Sequence, residues 1–411
     1  MTLPAAEFGD EINGPLWAAV DNELPALVDL YKWFHANPEL SFKEARTSER
    51  MAGELKALGC EVVQGIAGTG VVGLLRNGPG PWVLARADMD ALPVLEETGL
   101  PYASRSGVMH ACGHDSHMAI VVGAARALGR LKDRWSGTLV VVGQPAEEIG
   151  SGAKRMLEDP RFHQAVAEKP AACLSIHDFP TPAGTLGVTS GYASANVDNL
   201  DLTIYGRGGH GAWPHLCVDP VVIGAELVLA LQTIVSRKVE PGVRAIVTVG
   251  AFNAGAKHNV IPDEGALKLT VRSYDDKTRA KLLDEILHLA TQVCAAHRSP
   301  KPPVLREADD FCPAGYHDPA FTTRIRGVFE RLVGGDKVYD AEPMMGGEDF
   351  SRFPLYWKVP GLQFRVGGAR ANHDRAVGLH SSKWAVDPEP TLRTGATALA
   401  RAMLDVLKKW P

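Results

Sequence analysis

Cysteine is scarce in this 411-residue sequence, and its spacing indicates no disulfide framework. The six cysteines are widely scattered and form no paired motif: Cys60, Cys112, Cys173, Cys217, Cys294 and Cys312. Disulfide-stabilised proteins belong to oxidising compartments, whereas thiols stay free in a reducing cytoplasm. We therefore expect a cytoplasmic protein without structural disulfides.

Signals for a membrane or for nucleic acid are also missing. The formal net charge is −5 and no long basic run occurs, which disfavours nucleic acid and anionic membranes as partners. The segment from Met1 to Asp10 lacks the basic start and apolar stretch of a secretory signal. The longest apolar segment, Val221 to Val235, contains Glu226 and Gln232 and is shorter than the ~20 residues of a bilayer span. The sequence predicts neither kind of partner.

The rest of the composition is that of a globular protein. Hydrophobic residues make up 45% of the chain and charged residues 22%, which disfavours a disordered or fibrous protein. Because 411 residues exceed what one ordinary hydrophobic core supports, about two domains are expected.

The first half of the chain alternates short apolar runs with helical segments. The predicted strands are Gly70–Leu75, Trp82–Arg86, Thr138–Gly143 and Ala171–Ile176, and the predicted helices are Glu44–Leu58 and His114–Leu131. Short apolar runs are typical of strands that are buried on both faces. The alternation predicts an α/β fold with a mostly parallel sheet that is flanked by helices.

A second pattern begins near Asn196. Its predicted elements are the strands Val197–Tyr205, Arg244–Ala251 and Ala266–Ser273 and the helices Pro220–Ile234 and Lys277–His297. This β-α-β-β-α order is close to a small α+β, ferredoxin-like sandwich. Phe321–Leu332, Leu362–Val366 and Pro390–Leu407 return to the first architecture. We predict a large α/β domain of residues 1–195 and 308–411, interrupted by a smaller domain of residues 196–307.

Chemically reactive side chains lie just after predicted strands or in the adjoining loops. They form five groups: Arg86-Ala-Asp88-Met-Asp90, Met109 to His117, Gln144-Pro-Ala-Glu147-Glu148, Ser175-Ile-His177 and Leu379-His380-Ser381. In a doubly wound sheet, ligands gather at the carboxyl ends of the strands. The joint placement of these groups therefore predicts a single site.

These groups contain the ligands that borderline divalent cations bind. The candidate set is Cys112, His114, Glu148, His177 and His380. Thiolate, imidazole and carboxylate all suit such cations, and the thiolate of Cys112 could bridge two of them. Two ions ~3.5–4 Å apart would lower the pKa of a shared water molecule towards ~7. Glu147 could then accept the proton of that water as the general base.

Each of these residues also has a purely structural interpretation. A single histidine is more often a structural or surface residue, and the pair Glu147-Glu148 alone is typical of a helix start. His114 and His117 are three residues apart on a helix and could themselves form a ligand pair. Local spacing therefore does not decide between His117 and Cys112.

Taken together, the motifs resemble those of the M20 metallopeptidase family. The resembling segments are His35–Leu40, Arg86–Pro93, Met109–His117, Gln144–Glu148, Gly208–His215, His258–Pro262, Gly346–Phe350 and Leu379–Ser381. They are most similar to the amidohydrolase branch, which includes hippurate hydrolases, N-acyl amino acid amidohydrolases and auxin-conjugate hydrolases. The resemblance extends along nearly the whole chain. It gives Glu348 and Asp349, which lie in the seventh segment, no chemical role.

The resemblance implies a role for each residue of the larger domain's site. The residues that match the family's metal ligands are Cys112, His114, Glu148, His177 and His380. Cys112 takes the position that bridges two divalent ions. Glu147 matches the general base, and Asp90 matches an acid that orients the ligands. Zinc is the expected metal, with manganese, nickel and cobalt as alternatives.

The resemblance also gives the smaller domain a role as a lid or dimerisation domain. His210 matches a histidine that stabilises the developing oxyanion, either on domain closure or across a dimer interface. Asn259 and Arg272 match substrate contacts, and Arg272 could pair with the substrate carboxylate. Trp213 either shapes the pocket, by narrowing it or by stacking on an aromatic acyl group, or only packs within its domain. A homo-oligomer through this domain is one expected outcome.

The activity implied by the resemblance is metal-dependent hydrolysis of the amide bond of an N-acyl amino acid. Acetyl, benzoyl and related acyl groups fit this class, and the products are a carboxylic acid and a free amino acid. One rival is a dipeptidase or aminopeptidase, which needs a partner for a free α-amine that the sequence does not show. Another is a metal-binding homologue without catalysis, which would have no use for Glu147.

Overall fold

The computed structural model describes residues 10–308 and 311–407. The first nine residues of the N-terminal segment considered above therefore lie outside the described part. The chain divides into two compact units. The first unit comprises the chain up to Ala193, Tyr316–Pro343 and the chain from Asp349 onward, and the second comprises Ser194–Gly315 and Met344–Glu348. The lid or dimerisation role of residues 196–307 stays a prediction.

Strands and helices alternate through much of the described chain. The strands are β1 (Glu61–Ile66), β2 (Gly70–Asn77), β3 (Trp82–Asp88), β4 (Gly137–Gln144), β5 (Ala172–Pro182), β6 (Leu186–Val188), β7 (Gly191–Ser194), β8 (Asn196–Tyr205), β9 (Gly209–His210), β10 (Ala245–Ala254), β11 (Val260–Ile261), β12 (Glu264–Ser273), β13 (Val304–Glu307), β14 (Gly315–His317), β15 (Val338–Asp340) and β16 (Gly361–Ala369). The helices are α1 (Asn13–Ala36), α2 (Ala45–Ala57), α3 (His114–Arg130), α4 (Gly152–Glu158), α5 (Pro160–Ala165), α6 (Pro220–Thr233), α7 (Asp276–Ala296), α8 (Pro319–Val333), α9 (Arg352–Trp357) and α10 (Pro388–Val406).

The first unit is organised around an eight-stranded sheet in the order β1-β2-β4-β3-β5-β16-β6-β15. Its centre is parallel, because β3 pairs in parallel with both β4 and β5, and β5 pairs in parallel with β16. The hairpin of β1 and β2 adds antiparallel strands at one side. The predicted α/β fold with a mostly parallel sheet is therefore confirmed.

Both faces of this sheet are covered by helices. Alternate residues of β3 contribute to two different apolar clusters: Val83 and Ala85 pack with α1, α3 and α10, and Leu84 packs on the other side with residues of α4, α5 and α9. Side chains of a strand point alternately to opposite faces, so a strand buried on both faces must be apolar throughout. This burial explains the unbroken apolar runs in the sequence, and it leaves the polar groups that follow the strands at the sheet's edge.

The second unit contains a four-stranded antiparallel sheet in the order β10-β12-β8-β13. Apolar residues of β8 and β12 form a core with α6 and α7. The chain order β-α-β-β-α-β and this strand order are those of a ferredoxin-like sandwich, as predicted. The last strand, β13, lies beyond the β-α-β-β-α set that the sequence indicates.

One helix of the second unit meets the length and composition expected of a membrane span. Within the described residues it covers Pro220–Lys238, because α6 continues into a π-helical turn, and about a third of its most apolar 18-residue window is buried. Core helices of proteins without a membrane segment can pass the same test, so this feature alone is weak evidence for a membrane.

Candidate metal centre

The carboxyl ends of β3, β4 and β5 carry most of the predicted site. Asp90 follows β3, Glu147 and Glu148 follow β4, and His177 lies within β5. Because these three strands are neighbours and parallel, their ends meet at one edge of the sheet. Helix α3 begins at His114 and brings a further imidazole to the same place.

The structure brings the five predicted metal ligands together around the Cys112 sulfur. The Cys112 Sγ lies 3.6 Å from His177 Nε2 and 3.3 Å from His380 Nε2. Cys112, His114 and His177 form one group with ligand atoms within 4.8 Å of one another, and Cys112, Glu148 and His380 form a second. The two groups share only Cys112, which is the arrangement that a bridging thiolate requires.

Hydrogen bonds orient two of the imidazoles. His114 Nδ1 donates to the carbonyl oxygen of Asp90 at 2.8 Å, and His177 Nδ1 donates to the carbonyl oxygen of Asp178 at 2.7 Å. The other ring nitrogen, Nε2, faces Glu148 in His114 and Cys112 in His177. Histidine ligands of metals are commonly fixed by such a bond from the other ring nitrogen.

The chemistry of these side chains fits a divalent cation. His114 Nε2 and Glu148 Oε1 are buried, lie 3.8 Å apart and have no hydrogen-bond partner within the described residues. Burial, together with the nearby Asp90 and Asp88, raises the pKa of Glu148 to about 7. Burial also raises the pKa of the Cys112 thiol well above its ordinary value. A buried polar atom without a partner lowers the stability of the folded state, and a bound cation would supply that partner.

A strained turn and a buried aspartate shape the loop that carries Glu147 and Glu148. Ala146 adopts a φ of +53°, a left-handed conformation that non-glycine residues rarely take. Asp90 accepts hydrogen bonds from the main-chain N–H groups of Glu147 and Glu148 at 3.0 and 3.1 Å. The buried Glu44 accepts the N–H of Ala146 at 2.9 Å. Together these bonds hold two adjacent carboxylates in fixed places.

His117, the alternative ligand that local spacing left open, lies between two buried aspartates. Its Nδ1 lies 2.7 Å from Asp88 Oδ1, and its Nε2 lies 2.8 Å from Asp178 Oδ1. Burial disfavours the charged ring, but the two aspartates outweigh that effect and raise the pKa of His117 to about 9. The main-chain N–H of Asp178 also lies 2.9 Å from Nε2. His117 belongs to two groups of possible metal ligands, one with Asp88 and His114 and one with His177 and Asp178. The preference for Cys112 over His117 therefore stays a prediction.

Asp178 is a residue of this site that sequence reasoning missed. It is fully buried and also accepts a hydrogen bond from Trp384 Nε1 at 3.0 Å. Its Oδ1 would lie only 1.9 Å from a Cβ atom at Gly113, whose φ is +80°. Only a glycine therefore fits between Cys112 and His114. The sequence gives Asp178 no signal beyond its place next to His177.

A second buried cluster of charged side chains contains His35, Glu96 and Asp115, and Asp115 lies in the first turn of α3. His35 Nδ1 lies 2.6 Å from Asp115 Oδ2, and His35 Nε2 lies 2.9 Å from Glu96 Oε1. Burial disfavours the imidazolium, but these two hydrogen bonds outweigh it and raise the pKa of His35 from 6.5 to about 9. His35 thus anchors the first turn of the helix that carries His114.

This raised pKa predicts a pH-dependent stability. The charged His35 stabilises the folded state fully below pH 6.5, and the contribution is lost as the pH rises through about 9. A shift of this size corresponds to about 3 kcal/mol of unfolding free energy. We expect His35→Gln to be less stable than the wild type at pH 6 and nearly equal to it at pH 10, as measured by urea denaturation. A stability gap of the same size at both pH values would contradict the assignment.

Three of the four predicted residues of the second unit lie together. Strands β9 and β11 pair His210 with Val260, directly after Asn259. The His210 and Trp213 rings are 5.0 Å apart, and both side chains are exposed. Arg272 lies on β12, where its Nη1 donates to the carbonyl oxygen of Met345 at 2.7 Å. The roles of these four residues stay predictions.

Comparison with known proteins gives a consistent identification. Residues 84–405 match the sequence model described as Peptidase family M20/M25/M40. A relative named thermostable carboxypeptidase 2, from Saccharolobus solfataricus, is 35% identical over 92% of this chain and 94% of its own length. A hippurate hydrolase from Campylobacter jejuni is 36% identical over 94% of this chain and 100% of its own length.

A solved structure extends the similarity to the fold. The Bacillus subtilis YXEP protein, described as a dinuclear metal binding peptidase from the M20 family, is 29% identical with a TM-score of 0.79. The alignment covers 94% of this chain and 99% of that protein.

Proposed function

The chain belongs to peptidase family M20/M25/M40, and from this premise we propose that it hydrolyses the amide bond of N-acyl amino acids. Family membership makes it a hydrolytic enzyme, and the substrate class is our proposal. The observation that carries it is the pair of candidate ligand groups that share Cys112, with Glu147 beside them. Glu147 Oε2 lies 3.8 Å from His114 Nε2, so the proposed base is next to one of the proposed ligands.

The proposed cofactor is a pair of divalent cations. Their ligands would be Cys112, His114, Glu148, His177 and His380. When bound, the cations would polarise the amide carbonyl and make a water molecule more acidic. A set of sulfur, nitrogen and a single carboxylate favours zinc, with nickel, cobalt and manganese as alternatives. The description of the YXEP protein as dinuclear supports the number of ions.

The chain's own residues then move the proton. Glu147 accepts a proton from the attacking water and returns it to the nitrogen of the departing amine, which leaves as the amino acid. Asp90 accepts hydrogen bonds from the main-chain N–H groups of Glu147 and Glu148 and so fixes the backbone that carries both side chains. From the family resemblance, we also assign His210 to stabilisation of the oxyanion, and Asn259, Arg272 and Trp213 to substrate contact.

The names of the relatives support two substrate classes. Relatives named hippurate hydrolase and N-acetyl-L-cysteine deacetylase favour an N-acyl amino acid. The relatives named thermostable carboxypeptidase favour hydrolysis of short peptides as the second candidate. Both reactions break an amide bond beside an amino acid, so they would use the same general base and cations.

A substrate screen separates the candidates. Protein loaded with zinc, cobalt or manganese is incubated with N-acetyl, N-benzoyl and unblocked dipeptide substrates of the same amino acids, and free amino acid is measured. We expect turnover of the acylated substrates to exceed that of the dipeptides. Preference for dipeptides would favour a peptidase, and no hydrolysis with bound metal would favour a non-catalytic homologue.

We also propose that the second unit forms a homo-oligomer through α6. Apolar side chains lie on the outer face of this helix, where Val222 is 52% and Leu229 72% exposed. Exposed apolar faces commonly mark association surfaces. Light scattering measures the mass directly, and a monomer at micromolar concentration would contradict the proposal.

We propose a cytoplasmic location. The free thiols of all six cysteines support it, and cell fractionation can test it.

A further inference from the structure

The motif Gly346-Gly-Glu-Asp-Phe350 has no role in the mechanism above. Its aspartate, Asp349, is fully buried in the first unit. Asp349 Oδ1 accepts hydrogen bonds from Gln144 Nε2 at 2.6 Å and from Arg86 Nη2 at 3.1 Å. Asp349 Oδ2 accepts one from the main-chain N–H of Ala153 at 2.9 Å. A buried carboxylate with several good donors is a strongly held group.

Two of these partners mark the ends of the loop that carries Glu147 and Glu148. Gln144 is the last residue of β4, and Ala153 lies in the first turn of α4. Asp349 therefore ties the start of the loop to its end. The ends are closely packed, because a Cβ atom at Gly152 would lie 1.6 Å from the carbonyl oxygen of Pro145.

The third partner, Arg86, supplies the balancing charge. It also pairs with Asp88 at 2.7 Å, and its Nε donates to Gln144 Oε1 at 2.8 Å. All the groups facing Asp349 in these bonds are donors. An asparagine there would turn its own NH₂ group towards at least one of them, so a carboxylate is required.

We infer that Asp349 is a positioning residue, which fixes the loop between β4 and α4 so that Glu147 and Glu148 point to their separate places. The inference rests on the proposed metal site, in which Glu148 is a ligand, and its kcat readout also rests on the proposed role of Glu147 as the base. When a residue that holds metal ligands in place without binding the metal is replaced, activity or metal affinity typically falls by about 10- to 100-fold.

Asp349→Asn tests the inference. We expect kcat to fall about 10- to 100-fold with KM little changed, and the affinity for Zn²⁺ and Co²⁺, measured against a fluorescent chelator, to fall by a similar factor. Asp405→Asn is the matched control, because Asp405 is also buried in the first unit and paired with an arginine, Arg324. We expect the control to lower stability without lowering kcat or metal affinity.

A second variant guards against misfolding of the first. Gln144→Met removes the link from Asp349 to the loop at nearly constant volume, and the double variant should be no worse than the poorer single variant. Independent, multiplying losses would overturn the inference, as would wild-type kcat and metal affinity in Asp349→Asn or equal losses in the Asp405 control. If the wild type cleaves no acylated amino acid, the proposed function fails, and the metal-affinity measurements still decide the role of Asp349.

Discussion

Replacing Glu147 with glutamine is expected to abolish nearly all turnover while the protein keeps its cations. Glutamine preserves the size of the side chain but cannot accept a proton from water. A general base contributes roughly 100- to 10,000-fold to a rate, so kcat should fall by that factor. The five proposed ligands are untouched, so elemental analysis should find the same metal content as in the wild type.

A matched substitution controls for the loss of a negative charge nearby. Glu158 lies at the end of α4, and its side chain is 60% exposed. We expect Glu158→Gln to behave as the wild type. Turnover of Glu147→Gln comparable to the wild type would remove Glu147 from the role of base. Loss of metal together with activity would make it a ligand instead.

Replacing Gly113 with alanine is expected to have the largest effect on stability. The added Cβ atom would meet the Asp178 carboxylate at 1.9 Å. Asp178 cannot withdraw without breaking its bonds to His117 and Trp384. Left-handed strain and overpacking together predict a loss of about 2–5 kcal/mol of unfolding free energy. Zn²⁺ affinity should also fall, because Gly113 separates Cys112 from His114.

Gly107→Ala isolates the cause of this effect. Gly107 has nearly the same backbone conformation, with φ +78°, but nothing lies within 4 Å of its added Cβ. The Gly107→Ala variant should therefore lose only the unfolding free energy that left-handed backbone strain costs, about 1–2 kcal/mol, and keep its metal affinity. Denaturation curves of the two variants give the comparison. Equal losses of stability would show that the clash with Asp178 is relieved at no cost.

The sequence allowed the large sheet and the grouping of the five proposed ligands to be predicted because both follow from local patterns. Strands buried on two faces must be apolar, and polar groups directly after them must share an edge. Helix α1 was not predicted. Pro25 inside it is a signal that usually ends a helix, yet apolar packing against α3 and α10 maintains it.

The surroundings of the ligands could not be predicted in the same way. The state of His117 depends on Asp88 and Asp178, which are 29 and 61 residues away in the sequence. Asp349 reaches Gln144 across 205 residues. Spacing along one helix contains no information about partners on other strands, so it could not place His117 between Asp88 and Asp178.

The composition of the second unit limits how the chain can be dissected. A fragment spanning Ser194–Gly315 would appear self-contained by its own strands and helices, yet it would lack the pentapeptide Met344–Glu348. That pentapeptide supplies the carbonyl of Gly346 to the N–H of Ala195 and the carbonyl of Met345 to Arg272. A fragment cut at Ser194 and Gly315 would thus leave the N–H of Ala195 and the side chain of Arg272 without these acceptors. Grafting or swapping this module between relatives requires transplanting both stretches of sequence together.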